Sequence, residues 1–428
     1  MLNARWPPPH FRGKNVHHGP EGRLACLPSL NLLREAGPQR RAKRDPALRQ
    51  PNDLCLFNER AQRYEPTVKF NGDPLERMAL ETRGRAPSRD RRIRGADDIG
   101  SGGRVWRVAV LDDYQGIAQQ MADWGRLGPD VEVRMFRDHL DDADALVARL
   151  EPFQAVVAMR ERTPFAESLL ARLPALRVLV TTGMANASID LPAATRLGIL
   201  VSGTRSLGHP TAELTWGLIL ALARSIPQED QAVRRGEWQT TLGESLDGKT
   251  LGVIGLGNLG SRVAAIGRAF GMAVIAWSEN LSAERAAECG AEHVAKDALL
   301  TGADVVTVHL RLSARTRGLI GARELRLMKP TSYLVNTSRG PIVDEGALLD
   351  AITRGAIAGA GLDVFDDEPL PAGHPFRRQA NVIVTPHLGY VTRDTYRVFY
   401  GDAVEDLRAF LDGHPVRVLN PDVQTSRR

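Results

Sequence analysis

Thr250-Leu-Gly-Val-Ile-Gly-Leu-Gly-Asn-Leu-Gly260 is the stretch that decides how this chain is read. An apolar run, Leu251 to Ile254, feeds a G-x-G-x-x-G turn at Gly255, Gly257 and Gly260. Ser261-Arg-Val-Ala-Ala-Ile-Gly-Arg-Ala-Phe270 then reads as a helix starting near Asn258, and a second strand, Ala273 to Trp277, follows it. In that context the glycines have separate duties. One makes the tight turn, one lets backbone approach a pyrophosphate, and one lets helix and strand pack closely. An anion there would meet the free N–H groups at Asn258 and Leu259 and the positive end of the helix dipole. The stretch predicts a dinucleotide-binding unit.

Working outward, strand and helix alternate on both sides of this motif. Before it, Val108–Leu111, Val131–Phe136, Ala155–Ala158, Leu176–Thr181 and Ile199–Ser202 read as short apolar strands. Gln115–Trp124, Asp141–Leu150, Ala166–Leu173 and Leu191–Leu197 read as the helices between them, and a long apolar helix spans Thr211–Arg224. After it, the strands are Asp304–Leu310, Tyr333–Asn336, Ala358–Val364 and Val382–Thr385. Asp344 caps a helix over Glu345–Thr353 that Gly355 stops, and a final helix covers Thr392–Leu411. Such alternation predicts two α/β domains with doubly wound parallel sheets and a cleft between them.

Composition narrows the class. Apolar residues make up 43% of the 428, enough for real cores, and no apolar run approaches the ~20 residues that cross a bilayer. Three scattered cysteines, Cys26, Cys55 and Cys289, form neither a disulfide framework nor a metal pair, which fits a reducing, cytoplasmic setting. Charge is uneven: residues 1–103 hold 20 basic and 12 acidic residues, and the remainder 36 and 39. Eleven prolines and runs such as Gln39-Arg-Arg-Ala-Lys-Arg44 make that first segment read as a disordered basic extension. A nucleic-acid tail, a transit peptide and upstream sequence translated from too early a start codon all compete for it. The last is favoured, because an ordinary first strand begins abruptly at Gly102-Gly-Arg-Val-Trp-Arg-Val-Ala-Val-Leu111 and no aromatic-interleaved basic module precedes it.

Open α/β sheets bind ligands at the carboxyl ends of their strands. Three ionisable residues fall there in the second domain: Arg339 in Asn336-Thr-Ser-Arg-Gly-Pro341, Glu368 in Leu362-Asp-Val-Phe-Asp-Asp-Glu-Pro369, and His387 in Thr385-Pro-His-Leu-Gly389. Alone, each has a bland reading as a solvated charge or a structural histidine. In this order on this fold they converge on the dinucleotide's side of the cleft.

With these residues in place, the chain over about 105–420 resembles the D-2-hydroxyacid dehydrogenase family. This NAD(P)-dependent group includes phosphoglycerate, glyoxylate and hydroxypyruvate reductases. Thr181-Thr-Gly-Met-Ala-Asn-Ala-Ser-Ile-Asp190 and Thr211-Ala-Glu-Leu-Thr215 resemble family segments as well. The resemblance implies a flavodoxin-like substrate domain over 104–203, a Rossmann NAD(P)-binding domain over 204–391, and a C-terminal helix and tail, 392–428, returning to the first domain. It implies that Arg339 grips the substrate carboxylate and 2-oxo oxygen with its planar fork of donors. His387 would be the general acid/base, and Glu368 would favour its imidazolium form. Backbone N–H groups at Gly183 and Met184 would hold the carboxylate from the substrate domain. Thr337 and Asp363 would meet the cofactor, unless Asp363 is only a strand-end turn former.

One departure bears on the cofactor. Ile275-Ala-Trp-Ser-Glu-Asn280 places Ser278, not an acid, where the ribose hydroxyls of NAD are read, with Glu279 next to it. No arginine follows immediately to clamp a 2′-phosphate, so the reading leans to NAD and leaves NADP open. The expected function is hydride transfer between NAD(P)H and the 2-position of a small D-2-hydroxy or 2-oxo acid, with no metal and no membrane. Which acid depends on loops such as Met159-Arg-Glu-Arg-Thr163. Formate dehydrogenases share the architecture but pair the histidine with Gln, against Glu368 here. The alternative is an NAD-sensing corepressor-like scaffold that binds protein partners. Such relatives keep Arg, Glu and His, so the triad does not separate the two. A homodimer is expected on the apolar Thr211–Arg224 helix, by Leu214, Trp216, Leu218, Ile219, Leu220 and Leu222.

Overall fold

The computed structural model describes residues 105–423, and the readings made for residues 1–103 lie outside the described residues. Five parallel strands form the first sheet: β1 (Trp106–Val110), β2 (Val131–Met135), β3 (Ala155–Ala158), β4 (Val178–Thr181) and β5 (Leu200–Gly203), in the order β2-β1-β3-β4-β5. Seven more form the second: β6 (Thr250–Ile254), β7 (Ala273–Trp277), β8 (Glu292–His293), β9 (Val305–Val308), β10 (Tyr333–Asn336), β11 (Gly359–Leu362) and β12 (Val382–Val384). Their order is β12-β11-β10-β9-β6-β7-β8. From β6 the chain winds to one side through β7 and β8, then returns to wind the other way from β9. The switch point therefore lies between β6 and β9, where the Gly255–Gly260 turn leaves β6.

Burial explains the strand patterns. Every residue of β3, β4, β5, β9 and β11 is buried, as helices on both faces of a parallel sheet require. The first sheet's edge strand β2 alternates, and β8, at one edge of the second sheet, is a two-residue polar pair that no apolar run announces. The helix expected over Gln115–Trp124 is broken instead. The Asp113 carboxylate accepts from the Ile117 and Ala118 amides, so the helix starts at Ala118 and ends at Met121. Asp123 then caps a 3-10 turn over Trp124–Leu127 by accepting from Gly125 N. A helix over Ile226–Arg234 also forms, behind Ser225 in the left-handed region at φ 49°.

Two crossings join the sheets. The segment after β5 leads into helix His209–Ala223, and residues after β12 lead into helix Arg393–Leu411, which Thr392 caps by accepting from Thr395 N at 3.2 Å. The latter buries Tyr396, Phe399, Tyr400, Ala403, Val404 and Leu407, spaced for one helical face, in the core of the first sheet with Val108, Val110, Val157 and Val180. Helix His209–Ala223 packs Trp216, Leu218, Ile219 and Leu222 into the core of the second sheet, and of its leucines Leu214 and Leu220 stay half-buried. That corrects the expected all-round apolar face: its own domain covers most of it. Bare apolar surface follows instead, at Ile226, Val233, Trp238 and Leu242, the last two 76% and 96% exposed.

Candidate active site

The glycine turn is built as three different constraints. Gly255 sits at φ +98°, where a side chain would press on the His309 carbonyl. A Cβ on Gly260 would collide with the Gly255 carbonyl, so this position is closed by packing. Gly257 is the reverse case, with open space around its missing Cβ and backbone free to meet a ligand. It caps helix Asn258–Ala269 without a side-chain hydrogen bond, and no acid lies in that helix's first turn. The Asn258 and Leu259 amides and the helix dipole fit a pyrophosphate there. At the end of β7, Ser278 is half-buried and Glu279 exposed.

Arg339 is held by the turn that follows β10. Asn336 Nδ2 donates to the Arg339 carbonyl at 2.9 Å, and Asn336 Oδ1 accepts from Ser338 N at 3.1 Å. Gly340 presses so close to Phe365 that any side chain would strike its backbone, which brings the Arg339 turn against the loop carrying Glu368. The guanidinium donates from Nη1 to the Ser338 carbonyl and from Nη2 to Glu161 Oε1 at 2.8 Å.

Glu368 Oε1 accepts from Phe365 N at 2.9 Å, and Oε2 lies 2.6 Å from His387 Nδ1. His387 itself takes φ +53°, a conformation that an L residue holds only when its surroundings enforce it. Asp363 supplies that enforcement. Its backbone carbonyl accepts from His387 N, and its buried carboxylate accepts from Leu388 N at 2.7 Å, Gly389 N at 2.8 Å and Thr385 Oγ1 at 2.6 Å. Burial drives the Asp363 carboxyl above its ordinary value against the pull of these donors. So the side chain is engaged by the histidine loop, while Asp363 still borders the cavity.

That cavity, of about 150 Å³, is lined by Arg339, His387, Asp363 and Thr337 of the second sheet, Arg160 of the first, and the crossing residues Ser206, Thr211 and Tyr390 among others. Thr337 Oγ1 shares a hydrogen bond with Thr215 Oγ1, and Thr211 donates to the Gly389 carbonyl. Arg339 and His387 thus come together as expected from their strand ends. Gly183 and Met184 do not join them. Gly183 N donates to Thr204 Oγ1 at 2.8 Å, Met184 is half exposed, and neither borders the cavity. The first sheet presents Arg160 there instead, threaded past Gly183, where any side chain would meet its guanidinium. Arg160, Glu161 and Tyr390 are the residues that motif reading missed, and Thr211 entered it only as the start of a family-like segment. The Met159–Thr163 loop was the only pointer to the first two.

Comparison with known proteins identifies the family. Residues 216–389 match the family described as "D-isomer specific 2-hydroxyacid dehydrogenase, NAD binding domain". A glyoxylate reductase from Aeropyrum pernix is 45% identical over 271 residues, which cover 61% of this chain and 81% of that one. The crystal structure of a phosphoglycerate oxidoreductase from Vibrio cholerae superposes with a TM-score of 0.69 at 38% identity, covering 72% of this chain and 99% of that one. A D-lactate dehydrogenase from Aquifex aeolicus, solved with NAD and lactic acid, superposes at 0.61 with 27% identity, covering 72% and 96%. No described helix is long and apolar enough to cross a membrane. The chain therefore belongs to the D-isomer specific 2-hydroxyacid dehydrogenase family, as an NAD-dependent oxidoreductase of small-molecule substrates.

Proposed function

We propose that this chain reduces a small 2-oxo acid to the D-2-hydroxy acid, and the reverse, with His387, Glu368 and Arg339 as its working side chains. The observation that carries the reading is the 2.6 Å contact between His387 Nδ1 and Glu368 Oε2 beside a cavity that Arg339 also lines. With Nδ1 engaged by the carboxylate, Nε2 is the nitrogen left to give a proton to the substrate's carbonyl oxygen and to take it back in oxidation. Glu368 orients the ring and balances the imidazolium, and Phe365 N fixes Glu368 in turn. Arg339 binds the carboxylate, its fork of donors suiting two oxygens at once. Gly257, Asn258, Leu259, Gly260, Ser278 and Thr337 would hold NAD, with Gly255 shaping the turn. When bound, NAD supplies or accepts the hydride. Asp363 organises the histidine loop at the nicotinamide end of the cleft.

His387→Ala and Arg339→Ala should each lower kcat/KM for 2-oxo acid reduction by ~100- to 10,000-fold while NADH still binds. Steady-state kinetics beside NADH fluorescence titration checks this. A His387→Ala enzyme with near-parental kcat/KM would remove the assignment.

We also propose that the working unit is a homodimer, with Ile226, Val233, Trp238 and Leu242 covered by a second copy. A soluble monomer rarely leaves so many large apolar side chains bare in one stretch. Light scattering at micromolar concentration should give twice the chain mass, and a monomer there would count against it.

A further inference from the structure

The cavity has more positive charge at its wall than a single substrate carboxylate needs. Arg160 and Arg339 both line it, one from each sheet. Arg160 is fixed by donating from Nη1 to the Thr182 carbonyl at 3.0 Å, and its guanidinium lies 6.0 Å from the Tyr390 ring centre. The lining histidine and aspartate are already committed, His387 to Glu368 and Asp363 to its loop. One carboxylate answers the two arginines. Glu161 Oε1 accepts from Arg339 Nη2 at 2.8 Å and lies 3.5 Å from Arg160 Nη2, yet Glu161 does not line the cavity. Its Oε2 is buried with no hydrogen-bond partner. Burial pushes the Glu161 carboxyl up, but the Arg160 and Arg339 charges more than offset this and keep it ionised.

We propose that Glu161 is a positioning residue that sets the charge of the substrate site. As the internal counter-ion of Arg160 and Arg339, it leaves room for one substrate carboxylate, so the enzyme selects 2-oxo acids bearing a single anionic group over those bearing a second one near C3. The inference rests on the functional reading above, since it takes Arg339 to bind the substrate carboxylate. A residue 178 positions away in sequence, on the other sheet, thus tunes that arginine. Without the Glu161 charge, Arg160 would be an unanswered cation at the cavity wall, and a second substrate anion would supply its partner.

The test compares 2-oxobutanoate with oxaloacetate, which carries a carboxylate in place of the terminal methyl. The parent enzyme should prefer 2-oxobutanoate. Glu161→Gln, which keeps size and removes charge, should move the kcat/KM ratio towards oxaloacetate by at least about tenfold, mainly through KM, because charges a few ångström apart in a partly dry site interact strongly. NADH affinity should stay at the parental value. Adding Arg160→Ala to the Glu161→Gln enzyme should abolish the gain. A shift below about threefold, the size expected of a solvent-screened pair, would overturn the proposal, as would a parallel loss on both substrates. So would a parent that already prefers oxaloacetate. A parent that binds NADH but reduces no 2-oxo acid would overturn the functional reading itself, a failure visible before any variant is made.

Discussion

The carboxyl edges of the two sheets face the same cleft but are built on different physics. On the second sheet, each site residue is placed by backbone: the Gly255–Gly260 turn, the Asn336–Gly340 turn, and the loop in which Asp363 holds His387 at positive φ. On the first sheet, Arg160 also takes positive φ, but the charged ends of Arg160 and Glu161 are set by partners 22 and 178 positions along the chain. The lesson is that backbone constraint ties chemistry to local residue types, whereas charge pairing leaves local sequence nearly silent. One edge tolerates almost no change at Gly255, Gly260 and Gly340, and the other should respond in degree.

The sharpest break in that comparison is Gly260→Ala. A Cβ at this position overlaps the Gly255 carbonyl, and no flexible side-chain tip is there to yield. The turn must open, and with it the alignment of the Gly257, Asn258 and Leu259 amides. We expect NADH affinity to fall by about tenfold or more, since a misplaced anion cradle forfeits several charge-assisted hydrogen bonds. Fluorescence titration reads it directly. Parental affinity in this variant would show that the turn is not held as described.

Legibility follows the same division. The strands β3, β7 and β10 match the apolar runs residue for residue, and the helix Glu345–Thr353 has its Asp344 cap accepting from Ala347 N at 2.8 Å, because apolar period and capping are local properties. The glycines, Arg339, Glu368 and His387 could be singled out because each follows a strand end at fixed spacing. Glu161 could not: within Arg160-Glu161-Arg162 it looks like a solvated surface charge, and only the fold sets it against Arg339. The Gly183 amide looked free for a ligand because Thr204, whose hydroxyl takes it, lies on the neighbouring strand's extension 21 residues on. The exposed Trp238 and Leu242 escaped because the apolar run of helix His209–Ala223 is the stronger signal, and that helix is buried mostly in its own domain.

A middle-sized effect should come from Asp363→Asn. The amide keeps the size, but one of the two carboxylate oxygens becomes a donor facing amides that also donate. Leu388 N, Gly389 N and Thr385 Oγ1 cannot all be satisfied, so His387 should lose its left-handed conformation for part of the time. We expect kcat to drop by about tenfold with a smaller change in thermal stability, because an unmet buried donor costs on the order of 1–3 kcal/mol. If kcat held while NADH affinity alone fell, Asp363 would be acting on the cofactor and not on the loop.

The smallest effect belongs to the first sheet, and it concerns stability rather than rate. Asp406, on the helix Arg393–Leu411, is buried, and burial pushes its carboxyl up to about 7 in spite of Arg417. Arg417 Nη2 lies 2.9 Å from Asp406 Oδ1 without the alignment of a hydrogen bond, and it also meets Glu405 Oε2 at 3.0 Å and donates to the Asp402 carbonyl. The folded value therefore stands above that of the unfolded carboxyl, about 3.9. The folded chain holds the proton more tightly, so this group's contribution to stability is fully present below about pH 4 and is lost as pH rises through about 7. Asp406→Asn stays neutral throughout, and Arg417 keeps its other two partners. Measured against the parent, the variant should gain in melting temperature by a few degrees between pH 5 and pH 8, with the gain growing as pH rises. A constant difference across that range would mean that Asp406 stays ionised and that its pairing with Arg417 outweighs burial.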